Sequence, residues 1–193
     1  MSAAVFVTAG VALWFALQSP LLAWRRPVYI LAGVAGVVAL VLLVVQPLLI
    51  GGHLSGIGRV RGRNLHRWLG LGLVGAVLVH VIALWITSPP DVVDALLFRS
   101  PTPFSVWGVL AMWALFAAAA VALLQRRGSG SPRGWRRWHG GLVTVVVAGS
   151  VLHALQIEGT MEPVSKALLC GLAVLALVRV MVDLRHWRLW CRS

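Results

Sequence analysis

The chain has little charge. Only 11% of its 193 residues are Asp, Glu, Lys or Arg, against about 25% in soluble domains. Hydrophobic residues make up 60%, and the mean hydropathy is +0.90. Those figures exclude a soluble globular domain and a disordered chain. Cysteine is scarce as well. Cys170 lies inside an apolar run and Cys191 in the tail, so a disulfide scaffold is excluded and no structural disulfide is expected. Residues 1–23 have no basic start, so a removable signal peptide is not expected. The stretch after Val182 has 11 residues, too few for a nucleotide domain.

What is present is apolar length. Six spans can be read: Ala3–Ala23, Val28–Ile50, His66–Ile86, Phe104–Leu124, Trp138–Ile157 and Val164–Val182. Each matches the ~20 residues a helix needs to cross ~30 Å of hydrocarbon. In lipid the backbone must satisfy its own hydrogen bonds, so helix is the expected state. The expected fold is an all-α integral membrane protein, a six-transmembrane-helix bundle in contact with lipid. Pro20 and Pro47 fall near span ends, where a missing N–H costs little. Pro89, Pro90, Pro101 and Pro103 mark a loop after the third span, and the run from Gly128 to Pro132 marks a turn after the fourth.

The net charge of +12 first suggests nucleic acid. Its distribution argues instead for topology. Arg59, Arg61, Arg63, Arg67, Arg126, Arg127, Arg133, Arg136, Arg137, Arg179, Arg185, Arg188 and Arg192 all fall on one side, with Asp183 the only acid there. The other side has Arg25, Arg26, Arg99 and Lys166 against Asp91, Asp94, Glu158 and Glu162. The positive-inside rule makes the first side cytoplasmic, with both termini inside. Arg25 and Arg26 run against the rule locally. No nucleic-acid partner is expected. Most of the ten Trp fall near span ends, as an aromatic belt requires.

Four intramembrane histidines carry the chemistry. His66 and His80 lie on the third span, His139 and His153 on the fifth. The two pairs have the same spacing, about four helical turns, so the members of each share one helix face about 21 Å apart. The third and fifth spans run in the same direction. His66 is therefore level with His139 near the cytoplasm, and His80 with His153 toward the outside. Two stacked bis-imidazole sites suit two six-coordinate b-type haems held between spans three and five. No Cys-x-x-Cys-His run occurs, which argues against haem c. Gly70, one turn from His66, and Gly149, one turn from His153, leave room for a flat macrocycle; close helix packing would favour the same small residues. For a single membrane histidine the competing reading is an interhelical hydrogen bond. His53 and His186 have no partner at the same spacing and read as interfacial. The match of Gly70, Gly72 and Gly75 to a dinucleotide fingerprint lies inside a span and is discounted.

The run Arg63-Asn-Leu-His66-Arg67-Trp68-Leu-Gly70, followed by His80, resembles the ferric-reductase-like transmembrane domain family. So does Trp135-Arg-Arg-Trp-His139-Gly, followed by His153. That superfamily includes NADPH oxidases, STEAP reductases and the membrane subunit of a methionine sulfoxide reductase system. The resemblance implies inner haem ligands His66 and His139 and outer ligands His80 and His153. It also implies electron flow from a cytoplasmic reduced flavin, FMN or FAD, to the outer face. Residues 1–193 would then form a single haem-binding domain with no flavin or nicotinamide domain, served by a separate flavoprotein reductase. The presence of His66 implies two haems. Arg63, Arg67 and Arg137 would pair with haem propionates or a flavin phosphate; plain topology accounts for them equally. The acceptor would be ferric iron, oxygen or an outer-face partner protein, and the location the cytoplasmic membrane.

Two other classes remain open. A quinol-linked di-haem cytochrome b also pairs histidines on two helices, but no Pro-Glu-Trp-Tyr run occurs. A non-redox structural or transport protein usually shows broken spans or charges near the midplane.

Overall fold

A computed structural model describes residues 2–128, 131–159 and 161–190. The side chains of 2–6, 9, 17, 21, 132 and 184–190 lie outside that description, as do Cys191 and Arg192 of the basic tail and part of the expected Gly128–Pro132 turn. His186, Arg185 and Arg188 are therefore placed by backbone alone.

The described residues are largely helical: α1 (Ser2–Leu17), α2 (Pro27–Gly51), α3 (Arg59–Thr87), α4 (Pro89–Leu96), α5 (Pro103–Arg126), α6 (Pro132–Gln156) and α7 (Pro163–Trp190), with a 3-10 turn at Pro20–Leu22. Five of them (α2, α3, α5, α6 and α7) are long and apolar enough to cross a membrane. The chain is thus a helical membrane protein.

Besides α3 and α6, which start ahead of the expected spans, and α7, which runs past its span, two expectations change. The first span is not one continuous helix over Ala3–Ala23. It is α1, 16 residues long, followed by the 3-10 turn. Sixteen residues rise about 24 Å, short of a ~30 Å core. Pro20 biases the residue before it away from the helical region, which accounts for the break. The loop after the third span contains a further short helix, α4, started by Pro89. Proline at the first helical position also starts α2, α5, α6 and α7, where its missing N–H is an orphan in any case. Pro47 lies inside α2, which runs one further turn to a left-handed Gly52 that donates to the Leu48 carbonyl.

The chain divides into two compact units. The first holds α1, α2, most of α3, and α7. Its core joins α2 to α7 through Leu40, Val44, Leu48, Leu169, Ala173 and Leu177, all buried. Where α2 ends, His53 Nε2 lies 2.8 Å from Asp183 Oδ2, and Arg179 Nε lies 3.4 Å from the same oxygen. The second unit holds α4, α5 and α6. Small residues let α5 and α6 approach closely: Ala111, Ala114 and Ala118 are buried on α5, and Val146 and Val147 on α6. The large apolar side chains left outside, such as Leu71, Ile82 and Ile86 on α3, suit contact with lipid tails.

Candidate functional site

Each unit contributes one helical hairpin bearing two histidines. In the first, α2 and α3 run antiparallel. His80 Nδ1 lies 2.7 Å from the Ala32 carbonyl, and His66 Nδ1 lies 3.2 Å from the Gln46 carbonyl. In the second, α5 and α6 repeat the arrangement. His153 Nδ1 lies 2.8 Å from the Phe104 carbonyl, and the Ala118 carbonyl is the backbone neighbour of the His139 ring. A carbonyl only accepts, so a nitrogen bonded to it carries the proton. The ring's other nitrogen, Nε2, then keeps its lone pair. Fixing one nitrogen on a backbone carbonyl is how proteins set a ligating imidazole's tautomer and orientation.

The two hairpins have the same internal spacing. Ala32 and Gln46 are spaced on α2 as His66 and His80 are on α3, and Phe104 and Ala118 repeat that spacing on α5. In an antiparallel pair of helices, equal steps keep partners level. One constant shift along the chain carries Ala32 to Phe104, Gly36 to Gly108 and Gln46 to Ala118. A shift longer by a single position carries His66 to His139 and His80 to His153. Residue type marks only the glycines and the histidines in that repeat; the carbonyl partners are marked by position alone.

The histidines are ringed by specific neighbours. A Cβ added at Gly36 would lie 3.2 Å from His80 Nδ1, and one at Gly108 would lie 2.7 Å from His153 Nδ1. Phe104 also meets the His153 ring edge-on, centroids 5.8 Å apart. Trp135 stacks on His139 at 5.6 Å with planes 18° apart, a second neighbour not anticipated. Their spacing of one helical turn puts them on one face. All four histidines are half-buried.

The remaining expected residues fall as follows. Arg63, Arg67 and Arg137 are exposed. Gly70 leaves open space apart from Gln46 Nε2, 3.5 Å from where its Cβ would be. Gly149, expected to leave room for a macrocycle, instead backs onto α5: a Cβ there would lie 2.9 Å from the Trp107 carbonyl and 3.1 Å from Ala111 Cβ. Its smallness serves helix contact. Of the acids expected on the outer side, Glu162 caps α7, accepting from the Val164 and Ser165 amides at 3.0 and 2.8 Å and from the Ser165 hydroxyl. Those bonds, led by the one from the Ser165 hydroxyl, hold its carboxyl below the usual carboxylate range. Asp91 accepts from the Ser88 hydroxyl at 2.6 Å.

Among the described residues, no group of three or more His, Cys, Asp or Glu side chains could hold a bare metal ion. Imidazoles with protonated Nδ1 and an Nε2 lone pair are the donors that a six-coordinate haem iron takes two at a time. The donor set therefore fits haem.

No curated protein and no solved structure matches the chain. One protein family does, that of the ferric reductase like transmembrane component, over residues 31–150. This stretch runs from α2 through most of α6 and includes three of the four histidines, His66, His80 and His139. By that match the chain belongs to the ferric reductase like transmembrane family, which points to transmembrane electron transfer.

Proposed function

We propose that this protein moves electrons across the cytoplasmic membrane on two b-type haems, from a reduced flavin at the inner face to an acceptor at the outer face. His66 and His139 would hold the inner iron, and His80 and His153 the outer. The observation that carries this reading is the internal spacing that the two hairpins have in common. In each, two imidazoles stand at the same spacing on one helix; the Gln46, Ala32 and Phe104 carbonyls of the facing helices bond His66, His80 and His153, and Ala118 continues that spacing beside His139. Packing histidines have no reason to keep that spacing twice.

Bound haem supplies the one-electron chemistry. The chain supplies the rest. The Gln46, Ala32 and Phe104 carbonyls hold the Nδ1 protons of His66, His80 and His153 in place and so aim each Nε2. The apolar helices exclude water around the rings. Arg63, Arg67 and Arg137 offer guanidinium forks for propionates or for the phosphate of FMN or FAD on a partner flavoprotein. Residues 1–193 serve as one haem-binding domain with both termini inside. The acceptor is ferric iron, oxygen or an outer-face protein.

The donor assignment is tested in proteoliposomes by supplying either an enzymatically reduced flavin or a menaquinol analogue and following the haem α-band. Reduced flavin should reduce the protein, and Arg63→Gln with Arg137→Gln should slow that reduction at least several-fold. Reduction by quinol alone would overturn the flavin donor in favour of a quinol-linked cytochrome. An unchanged rate in the double variant would reduce the arginines to topology.

A further inference from the structure

The two outer histidines sit closer to their carbonyls than His66 does, and the reason lies on the facing helix. In an α-helix the residue four positions after a carbonyl donates its amide to that carbonyl. Its side chain therefore flanks any second donor approaching the same oxygen. Four positions after Ala32 and Phe104 the sequence has Gly36 and Gly108, which have no Cβ. Four positions after Gln46 and Ala118 it has Ile50 and Ala122, which do. The contacts follow: 2.7 and 2.8 Å beside the glycines, 3.2 Å beside Ile50. The glycines are also where a methyl group would crowd the ring, at 3.2 Å for Gly36 and 2.7 Å for Gly108.

We infer that Gly36 and Gly108 are positioning residues for the outer iron. They let His80 and His153 press their Nδ1–H groups onto the Ala32 and Phe104 carbonyls, making these two rings more basic ligands than the inner pair. A strongly donating Nδ1–H gives imidazole more imidazolate character and raises its basicity. A more basic axial pair favours ferric over ferrous iron. The glycines thus hold the outer potential lower than it would otherwise be. The inner pair has Ile50 and Ala122 at the corresponding positions and lacks this device. Ala122 is also the chain's own version of the test: alanine at Gly108 gives the outer level the residue that the inner level already has on the same helix.

The inference rests on the haem reading above, and one set of samples tests the two separately. Haem content of the detergent-purified wild type is measured first by pyridine haemochrome; absence of haem would sink the haem reading itself. Potentiometric titration then resolves the b-type components, the outer one identified as that lost in His80→Ala. Gly108→Ala should move the outer component to more positive potential, and Gly36→Ala should do so by less, in keeping with 3.2 against 2.7 Å. The inner component should stay, and the low-spin ferric EPR signal of the outer haem should shift. Retained haem with no shift in Gly108→Ala would overturn the inference, as would equal shifts of both components. If Gly108→Ala does not accumulate with haem, the milder Gly36→Ala decides by the same criteria.

Discussion

At the scale of single residues, placement depends on hydrogen-bond partners that lie far away in sequence. His80 reaches a carbonyl 48 residues back and His153 one 49 residues back. The histidines were legible because a four-turn step on a helix is geometry that the sequence alone contains. Their carbonyl partners were not, because backbone carbonyls belong to every residue and nothing marks Ala32 or Phe104 as special. Only the glycines one turn later carry a trace. Glu162 is opaque for a similar reason. On the chain it is one of four outer acids; in the fold it caps α7 through Val164 and Ser165. Because those bonds depress its pKa, its contribution to stability is fully present above the ordinary carboxylate range. It is lost as pH falls through the depressed value. The melting temperature of wild type in detergent should exceed that of Glu162→Gln at neutral pH, and the gap should close in acid. A gap independent of pH would remove the ionised cap from the account.

At the scale of elements, the apolar runs located the five membrane-length helices to within a few residues at most ends. The larger misses have local causes. α3 starts at Arg59 rather than His66, because the Arg-rich run is tolerant of helix after Gly58 and arginine is a good helix former. α1 stops at Leu17, ahead of Pro20, although the apolar character continues to Ala23. Hydropathy reports solubility in lipid and is blind to such a break. Gly149 shows the same limit: small residues near a ligand are ambiguous between cofactor room and helix contact, and α5 takes the space. Gly149→Val should therefore act on the α5–α6 contact. It should cost about 1–3 kcal/mol of stability, as overpacking does, seen as a lower melting temperature in detergent. Haem per folded chain should be unchanged. Loss of haem at unchanged melting temperature would return Gly149 to the cofactor's surroundings.

At the scale of the whole molecule, the basic residues cluster between the apolar runs, and each of the two units holds a hairpin with two histidines at the same spacing. Each hairpin offers two imidazoles, His66 and His80 on one, His139 and His153 on the other; a six-coordinate haem iron takes two. Membership of the ferric reductase like family fits that design, since the matched stretch runs from the first hairpin into the second. The central claim is the number of irons that four histidines hold. Its most direct measurement is the pyridine haemochrome stoichiometry of detergent-purified protein, in wild type and in His66→Ala and His80→Ala. The account predicts two b haems per chain, falling to one in each variant. A wild type with no haem after haem-supplemented expression, or variants that keep the full content, would contradict it.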